Sequence, residues 1–307
     1  MVRFIVWRFI QLLLASYLIV SILFIAVRVI PGDPAVVLLG ARATQVEIAN
    51  LREALGLNKP LVEQYRDFTL DVLRGQLGDS FFYKRPVTEL VLERVPFTLS
   101  FAVMTMAWVI AVGLPLGILA ALRVDSVVDY LVRLFVFVGQ GMPDFWLAIM
   151  FILFFAVKLH WFPTFGVGTW KHLLLPTLAL GMSRLPRVMR LSRAGMLDVL
   201  RQDYMRTARA KGLPYWVGIF RHGGRNLLIP LVTDTGLSFG WLLGGAVVIE
   251  TVFALPGLGR LIVEAVQKRD YFLLQGVLFL FSFCFLLINL LIDVLYGYLD
   301  PRTRLTS

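Results

Sequence analysis

The chain has 307 residues, of which 58% are hydrophobic and only 16% are charged, and its mean hydropathy is +0.78. These values exclude an ordinary soluble domain and indicate a polytopic membrane protein, with room for about six spans. The formal net charge is +10, and the single Cys284 excludes both a disulfide framework and a cysteine metal site within the chain.

The first apolar stretch is predicted to be a retained membrane span rather than a secretory signal. Arg3 and Arg8 precede an uncharged run from Phe9 to Val27. As a helix this run is about 28 Å long, close to the hydrocarbon thickness, and no small-residue cleavage site follows it. We expect residues 1–30 to cross the membrane with the N-terminus inside.

The interval from Pro31 to Pro96 is polar and has no excess of Lys and Arg, so the positive-inside rule places it outside, as a helical scaffold. Thr44 and Glu47 have the spacing of a capping box, which marks a helix start. The glycines of this interval and the helical spacing of its apolar residues indicate where the other helices begin and end. Three helices are expected: one from Thr44 that ends at Gly56, one from Pro60 to Gly75, and one over Thr88 to Val95.

Two further spans are expected: Phe97 to Leu122 and about Leu131 to Val157. The second of them must bend or partly unwind between Gly139 and Asp144, because Pro143 lacks a backbone donor and two glycines weaken the helix. Asp144 at that depth is a candidate for facing a pore or another chain, and Met142 is a second pore candidate. The alternative is that Asp144 only caps a broken helix end near trapped water.

The fourth span is predicted over Leu173 to Ser183, the uncharged part of its segment. Arg184, Arg187 and Arg190 follow at intervals of three on one helical face. A charged face cannot look onto lipid, so it must look onto protein or water. Arg184 is therefore included among the pore candidates.

A strongly basic segment runs from Arg184 to Arg225, with ten basic and two acidic residues. Such a local surplus marks the cytoplasmic face of a membrane protein rather than a nucleic-acid site. The spacing of apolar residues predicts a helix over Met196 to Ala210. Gly212 and Pro214 end it, and a second helix is expected over Tyr215 to His222. On physical grounds alone, an amphipathic helix resting on anionic lipid explains this corner equally well.

The fifth span is expected over about Leu227 to Val252. It carries a stripe of small residues that permits close helix packing in lipid, formed by Gly236, Gly240 and Gly244. Asp234 near its inner end is a further pore candidate. A sixth span over about Tyr271 to Tyr298 places both termini inside. The expected regions after the scaffold are a five-helix core over 97–298, its cytoplasmic loop over about 191–226, and a cytoplasmic tail over 299–307.

Catalytic signatures are absent from the sequence. No Lys is followed by Ser or Thr, so there is no Walker phosphate loop, and neither HExxH nor GxSxG occurs. The three histidines are scattered, and no metal site is expected. A polytopic membrane enzyme built on Asp144, Asp234 and Asp293 remains an alternative, although these acids fall at different depths on three spans. A structural membrane adaptor is the other alternative.

Several strings resemble one family of membrane proteins. The central one is DYMRTARAKG, at Asp203 to Gly212, which precedes RNLLIP; the others are PGDP, LGLNKPL, GDS before KRPV, IETVFALPGLGRL and the closing DPR. Together they resemble permease subunits of the ABC importers for dipeptides, oligopeptides, glutathione and nickel. In general importers the cytoplasmic loop opens with Glu-Ala-Ala and has a glycine four residues after the second Ala. Of that pattern this sequence keeps only Ala208 and Gly212.

The resemblance implies an all-α, six-helix permease of the type I importers in the bacterial inner membrane, without catalytic residues or a cofactor of its own. The implied partners are a sister permease, ATP-binding cassette subunits that bind ATP and Mg²⁺, an external solute-binding protein and membrane lipid. Nucleic acid is not among them. The residues implied to couple to the ATPase are Arg206, Thr207, Ala208, Gly212 and Leu213.

The implied substrates are short peptides, glutathione included, with nickel or a nickel chelate as the alternative. Bare nickel would need clustered imidazole or thiolate ligands, which one cysteine and three scattered histidines do not supply. A peptide instead presents a carboxylate and an amine. If the charged residues of the spans face a wet pathway, these ends can meet Arg184, Arg187, Asp144 and Asp234.

The charge asymmetry between the two long polar segments predicts on which side of the membrane each lies. Cysteine introduced by Glu53→Cys should react with an impermeant thiol reagent in intact cells, whereas cysteine introduced by Arg209→Cys should not. The unmodified chain, which has Cys284 alone, gives the background labelling. The reverse pattern would overturn the assignment.

Overall fold

The computed structural model describes residues 2–29, 34–39, 43–54, 56–203, 205, 211 and 224–299. Within these ranges the chain is helical, apart from its turns and one isolated β-bridge. The helices are α1 (Val2–Val29), α2 (Pro34–Leu39), α3 (Gln45–Ala54), α4 (Leu61–Leu73), α5 (Val87–Leu122), α6 (Val127–Gly139), α7 (Asp144–Phe151), a π-helix (Ile152–Lys158), α8 (Trp170–Met182), α9 (Leu185–Arg201), α10 (Gly224–Val252), α11 (Leu258–Lys268) and α12 (Tyr271–Leu299). The expectation of an all-α membrane protein is confirmed.

Four helices in the described part of the chain are long and apolar enough to cross a membrane. These spans are Ile5–Ala26 in α1, the whole of α5, Pro230–Val252 in α10 and Tyr271–Val294 in α12. A bent pair of segments, α6 on one side and α7 with the π-helix on the other, adds a fifth span if the pair is counted as one. At about 1.5 Å per residue, α8 is roughly 20 Å long and shorter than the hydrocarbon layer. Six spans and cytoplasmic termini therefore remain predictions.

The chain divides into two compact units, which are described separately. The central unit comprises Met1–Ile5, Thr98–Leu255 and Leu291–Ser307. The scaffold unit comprises Val6–Phe97 and Pro256–Leu290. Each unit thus combines segments that are distant in sequence.

Local sequence signals set the helix ends in the scaffold unit. The capping box of α3 is formed, because the Glu47 N–H donates to Thr44 Oγ1 at 3.3 Å and the Thr44 N–H donates to Glu47 Oε2 at 2.8 Å. Gly56 and Gly75 have φ values of 65° and 74°, in the left-handed region that glycine tolerates after a helix. The first two helices predicted for this region are confirmed as α3 and α4.

In the same unit, α4 packs along α1 through aromatic side chains. The Tyr65 hydroxyl shares a hydrogen bond of 2.7 Å with Ser21, and its ring meets that of Phe24 edge-on at 5.2 Å. The ring of Phe68 lies 5.9 Å from that of Phe24. Aromatic pairs of this kind add about 0.5–1.5 kcal/mol beyond area burial, so they hold α4 against the apolar first helix.

One buried carboxylate joins two distant parts of the scaffold unit. Asp270 is 1% exposed and accepts from the Leu273 N–H at 3.1 Å, as the cap of α12. Its other oxygen accepts from the Ser80 hydroxyl at 2.6 Å and from the Phe82 N–H at 3.0 Å. The carboxylate thereby fixes the turn that carries the GDS and KRPV strings.

A second hydrogen-bonded group lies on α11 in this unit. The Tyr83 hydroxyl donates to Glu264 Oε2 at 2.6 Å, and Arg260 Nε donates to Glu264 Oε1 at 2.8 Å. Burial first, and then the hydrogen bond and charge of Glu264, raise the pKa of Tyr83 to about 12. The phenol therefore keeps its proton, and remains a donor, throughout the physiological pH range.

In the central unit, α5 and α9 approach each other to backbone contact. A Cβ at Gly117 would lie 2.5 Å from the Met189 carbonyl oxygen and 2.6 Å from Ser192 Cβ. No side chain fits there, so glycine permits the close approach. Buried apolar side chains surround the contact, including Val109, Val188 and Met196.

One predicted boundary is wrong at the start of the second span. The separate helix expected over Thr88 to Val95 is the first part of α5, which continues through Pro96. Proline removes one backbone donor from a helix. Here the helix persists because apolar side chains on either side of the proline, such as Val91 and Phe101, are buried along its length.

A second predicted boundary is wrong in the basic segment. The helix expected over Met196 to Ala210 begins earlier, at Leu185, and α9 ends at Arg201. Pro186 lies in the first turn, where its fixed φ and missing N–H are favourable, and this explains the early start. Residues 206–210, and the second helix expected over Tyr215 to His222, lie outside the described residues.

Candidate functional site

Four charged residues that the sequence singled out lie in one part of the central unit. Asp144 begins α7, Arg184 directly precedes α9, Arg187 lies in the first turn of α9, and Asp234 lies in α10. The helices α7, α8 and α9 all pack against α10. These four residues and Trp241 of α10 are called the polar cluster below.

The position of Asp144 follows from a break in the chain. The α6 helix ends at Gly139, α7 begins at Asp144, and the bend between them is 105°. Pro143 is extended, with φ −68° and ψ 139°, and so separates the two helices. The bend predicted from Pro143 is confirmed. Met142, the other pore candidate here, is half-buried within the break.

A sharp turn after α8 sets the directions of the arginines. Ser183 and Arg184 separate α8 from α9, because Pro186 fits the first turn of a helix but not its interior. Arg184 is half-buried, and its guanidinium carbon lies 5.4 Å from the centroid of the Trp241 ring, in a cation–π contact. Arg187, one turn further on, is exposed.

Arg187 and Asp234 form an ion pair between α9 and α10. The Nε and Nη2 atoms of Arg187 donate to Asp234 Oδ1 at 2.7 and 2.5 Å. The Arg187 side chain is 51% exposed, whereas that of Asp234 is 13% exposed. Asp234 Oδ2 is buried and accepts no hydrogen bond. The pair joins the two helices that flank the predicted cytoplasmic loop.

Asp144 has no such partner in the described part of the chain. Its charge and that of Arg184 attract each other, but no ion pair joins them, and Asp144 Oδ1 is buried without a hydrogen bond. The Ser183 hydroxyl donates to the Leu180 carbonyl oxygen at 3.2 Å and also lies near the Asp144 carboxylate. The carboxylate lies against Gly245 of α10, where a Cβ would be 3.5 Å from Asp144 Oδ2.

A buried ion pair that the sequence did not reveal fixes α9 against α6. Asp129, whose side chain is 0% exposed, accepts from Arg193 Nε at 2.6 Å and Nη2 at 2.9 Å. Arg133 lies 3.3 Å from the same carboxylate, and the Asp125 N–H donates to it at 3.1 Å. The spacing of Ser126 and Asp129 is that of a capping box and could have indicated the start of α6, but not the arginine 64 residues away.

The remaining candidate residues are the expected coupling residues and the glycine stripe. The five expected coupling residues lie outside the described residues: Arg206, Thr207, Ala208, Gly212 and Leu213. In the glycine stripe of α10, a Cβ at Gly236 would collide with Ile292, so α10 packs on α12 at that point. Gly240 is half-buried, and Gly244 is exposed with open space around it. A contact of this stripe with another chain stays a prediction.

Replacing Asp129 with Asn should destabilise the protein. Arg193, whose side chain is 21% exposed, would lose its anionic partner while it remains largely buried. Removing one partner of a buried ion pair costs about 3–5 kcal/mol. Thermal unfolding of the purified protein, followed by tryptophan fluorescence, measures the loss as a lower melting temperature.

Asp125→Asn is the matched control in the same turn. The Asp125 side chain is 83% exposed and lies 3.5 Å from Arg133. An exposed pair contributes about 0–1 kcal/mol, so this variant should unfold close to the wild-type temperature. Equal melting temperatures for the two variants would contradict the anchoring role of Asp129.

Comparison with known families gives two matches that together span nearly the whole chain. The family described as "Binding-protein-dependent transport system inner membrane component" matches residues 113–305. The corresponding N-terminal family of transport-system membrane components matches residues 1–102.

Similar proteins are permeases from bacteria. The glutathione transport system permease protein GsiC of Pectobacterium atrosepticum is 41% identical over 304 residues, which are 99% of each chain. The probable peptide ABC transporter permease protein y4tP of Sinorhizobium fredii is 42% identical over 290 residues, 92% of this chain and 93% of that one. GsiC of Escherichia coli K12 is 39% identical over 304 residues, again 99% of each chain.

A solved structure shares the fold. A chain of the MetNI methionine ABC transporter in inward-facing conformations superposes with a TM-score of 0.55, over 69% of this chain and 96% of that chain. The two are 18% identical, so the likeness concerns the fold alone, and it confirms the expected type I permease fold. The chain therefore belongs to the family of binding-protein-dependent transport system inner membrane components, and it is a non-catalytic, multi-pass permease of the bacterial inner membrane.

Proposed function

We propose that this chain forms half of a translocation pathway for short peptides, glutathione included, in an ATP-driven importer. The observation that carries the proposal is the 41% and 42% identity, over nearly the whole chain, to permeases named for glutathione and for peptides. Charged residues beside the apolar spans, such as Arg184 and Asp144, support it, because both ends of a peptide are charged.

Family membership implies ATPase subunits, a solute-binding protein and a sister permease as partners in general. We assign ATP and Mg²⁺ to the ATPase subunits and the other half of the pathway to a sister permease, so that the two permeases form a heterodimer. This chain contributes the pathway surface and, through the segment around Ala208 and Gly212, a docking loop for the ATPase.

Transport follows from alternating access. Nucleotide closes the ATPase pair, the docking loop moves with it, and the membrane helices open the pathway to the outside. The loop leaves α9 and enters α10, and the Arg187–Asp234 pair joins those two helices directly. The Asp129–Arg193 pair extends the connection to α6. The ion pairs make these three helices move as one body when the loop is pushed.

Gly212→Val tests the docking loop. A glycine that ends a helix usually adopts a left-handed conformation, which costs a β-branched residue about 1 kcal/mol or more. The substitution should misdirect the chain after residue 212 and reduce both copurification of the ATPase and transport. Insertion into the membrane should be unchanged.

Gly212→Asn is the control, because asparagine tolerates the left-handed conformation better than other residues with a side chain. It should restore most of the ATPase contact. If Gly212→Val copurifies with its ATPase and transports normally, the docking role is wrong.

Nickel is the second substrate expected from the resemblance, and little supports it. The relatives compared above carry names that refer to glutathione and peptides. Across the described ranges, no group of three or more His, Cys, Asp and Glu side chains is arranged to hold a metal ion. A chelated ion would need no direct ligands, so uptake measurements must distinguish the two substrates.

Uptake by the complete complex in proteoliposomes, with its solute-binding protein and ATP, tests the substrate class. We expect saturable, ATP-dependent accumulation of a radiolabelled tripeptide, with competition by unlabelled dipeptides, tripeptides or glutathione. Nickel accumulation is measured in parallel. Saturable nickel uptake that excess peptide leaves unchanged, without peptide uptake, would overturn the peptide assignment in favour of the metal.

A further inference from the structure

The structure divides the charged residues of the polar cluster into two kinds. Arg187 and Asp234 form an ion pair through Asp234 Oδ1, with donor–acceptor distances of 2.5 and 2.7 Å, although Asp234 Oδ2 is buried without a hydrogen bond. Asp144 and Arg184 attract each other but form no ion pair, and one oxygen of Asp144 is buried without a hydrogen bond. The second pair therefore has unused capacity for binding a ligand.

The depth of Arg184 in the membrane limits the surroundings of the α10 face that it contacts. Its guanidinium lies over Trp241, which is the middle residue of the span Pro230–Val252. At ~1.5 Å per residue, this is about 16 Å from either end of the span. Trp241 is 70% exposed in the isolated chain. A charge at mid-membrane depth is excluded from lipid, so this side faces water or another protein, as a pathway surface does.

The cluster is ordered along one face of α10. Asp234, Trp241 and Gly245 lie seven and four residues apart, and these intervals bring residues to the same side of a helix. Along this face, Arg187 pairs with Asp234 and Arg184 lies over Trp241. Asp144 lies against Gly245. The levels of Arg184 and Asp144 are about 6 Å apart along the axis.

This arrangement is complementary to a zwitterion of short length. A guanidinium binds a carboxylate with paired hydrogen bonds, and a carboxylate accepts from an ammonium group. An extended dipeptide spans about 7 Å and a tripeptide about 10 Å. These lengths are comparable with the distance along α10 between the positions of Arg184 and Asp144, to which the long arginine side chain adds further reach. The ring of Trp241 supplies an apolar surface beside Arg184.

We propose that Asp144 and Arg184 form a transient site for the two ends of a zwitterionic peptide, with Asp144 binding the ammonium group and Arg184 binding the carboxylate. The inference rests on the proposed transport of peptides and specifies how the peptide is oriented in the pathway. Arg187 and Asp234 are excluded from direct binding, because their charges are already paired with each other.

The first test is uptake of trialanine by the reconstituted complex. Asp144→Asn and Arg184→Gln should each lower uptake about tenfold or more, the effect of losing a hydrogen bond to a charged group. Arg184→Lys, which keeps the charge, should restore part of it. Two exposed residues give matched controls with wild-type uptake: Lys158→Gln, whose ammonium lies 5.8 Å from the Phe154 ring, and Asp125→Asn, whose side chain is 83% exposed.

The second test determines the orientation of the peptide in the wild-type complex, so it does not depend on how the variants fold. Two tripeptides carry a photoreactive diazirine residue, one at the first position and one at the last. The first-position label should attach near Asp144 and Gly245, and the last-position label near Trp241, as located by mass spectrometry.

The outcomes separate this inference from the proposed function. If the wild-type complex takes up no peptide, the proposed function fails and the site fails with it. If the wild type takes up peptide but both labels attach elsewhere, or attach to the same residues without regard to position, the orientation site is wrong while peptide transport stands. Assembled variants with unchanged uptake lead to the same conclusion.

Discussion

A charge among apolar helices has to meet protein or water, and this constraint explains much of the order in the central unit. Asp129 meets Arg193, Asp234 meets Arg187, and Glu250, which is 0% exposed, accepts from the Thr98 hydroxyl at 2.8 Å. Each contact joins two different helices. Because lipid gives apolar helices little reason to associate with one another, polar contacts and close backbone packing specify which helices are neighbours.

Proline has opposite effects at different places in the same chain. At Pro143 and Pro186 one helix ends and another begins, whereas Pro176 and Pro230 lie inside α8 and α10. The local sequence separates the two cases. Glycines precede the break before α7, and Ser183 and Arg184 precede the break before α9, while leucines and other apolar residues flank the prolines that stay inside helices. A proline therefore breaks these helices only where its neighbours also favour a turn.

The features that the sequence predicted are those with a local cause. Composition predicted a helical membrane protein, and the fifth and last predicted spans correspond to α10 and α12. The capping box at Thr44 forms as its spacing predicts. The glycines that follow α3 and α4 have the left-handed conformation expected after a helix. The resemblance to importer permeases, read from short strings, agrees with the family matches.

The features that it could not predict depend on partners distant in sequence. Asp129 and Arg193 are 64 residues apart, and nothing near either one indicates the other. The four charged residues of the candidate pathway were each visible as unusual charges in apolar surroundings. Which of them form an ion pair depends on helix packing, because it is the turn at Ser183 that directs Arg184 to Trp241 and Arg187 to Asp234.

The contacts of Asp270 have a consequence for how the protein is made. Ser80 and Asp270 are 190 residues apart, and the scaffold unit combines Val6–Phe97 with Pro256–Leu290. Most of the central unit, Thr98–Leu255, is synthesised between these two parts. At a synthesis rate of 5–20 residues per second, roughly 10–30 s pass before the first part of the scaffold meets the second. During biogenesis, apolar surface of the early scaffold helices therefore stays uncovered until Pro256–Leu290 has been synthesised.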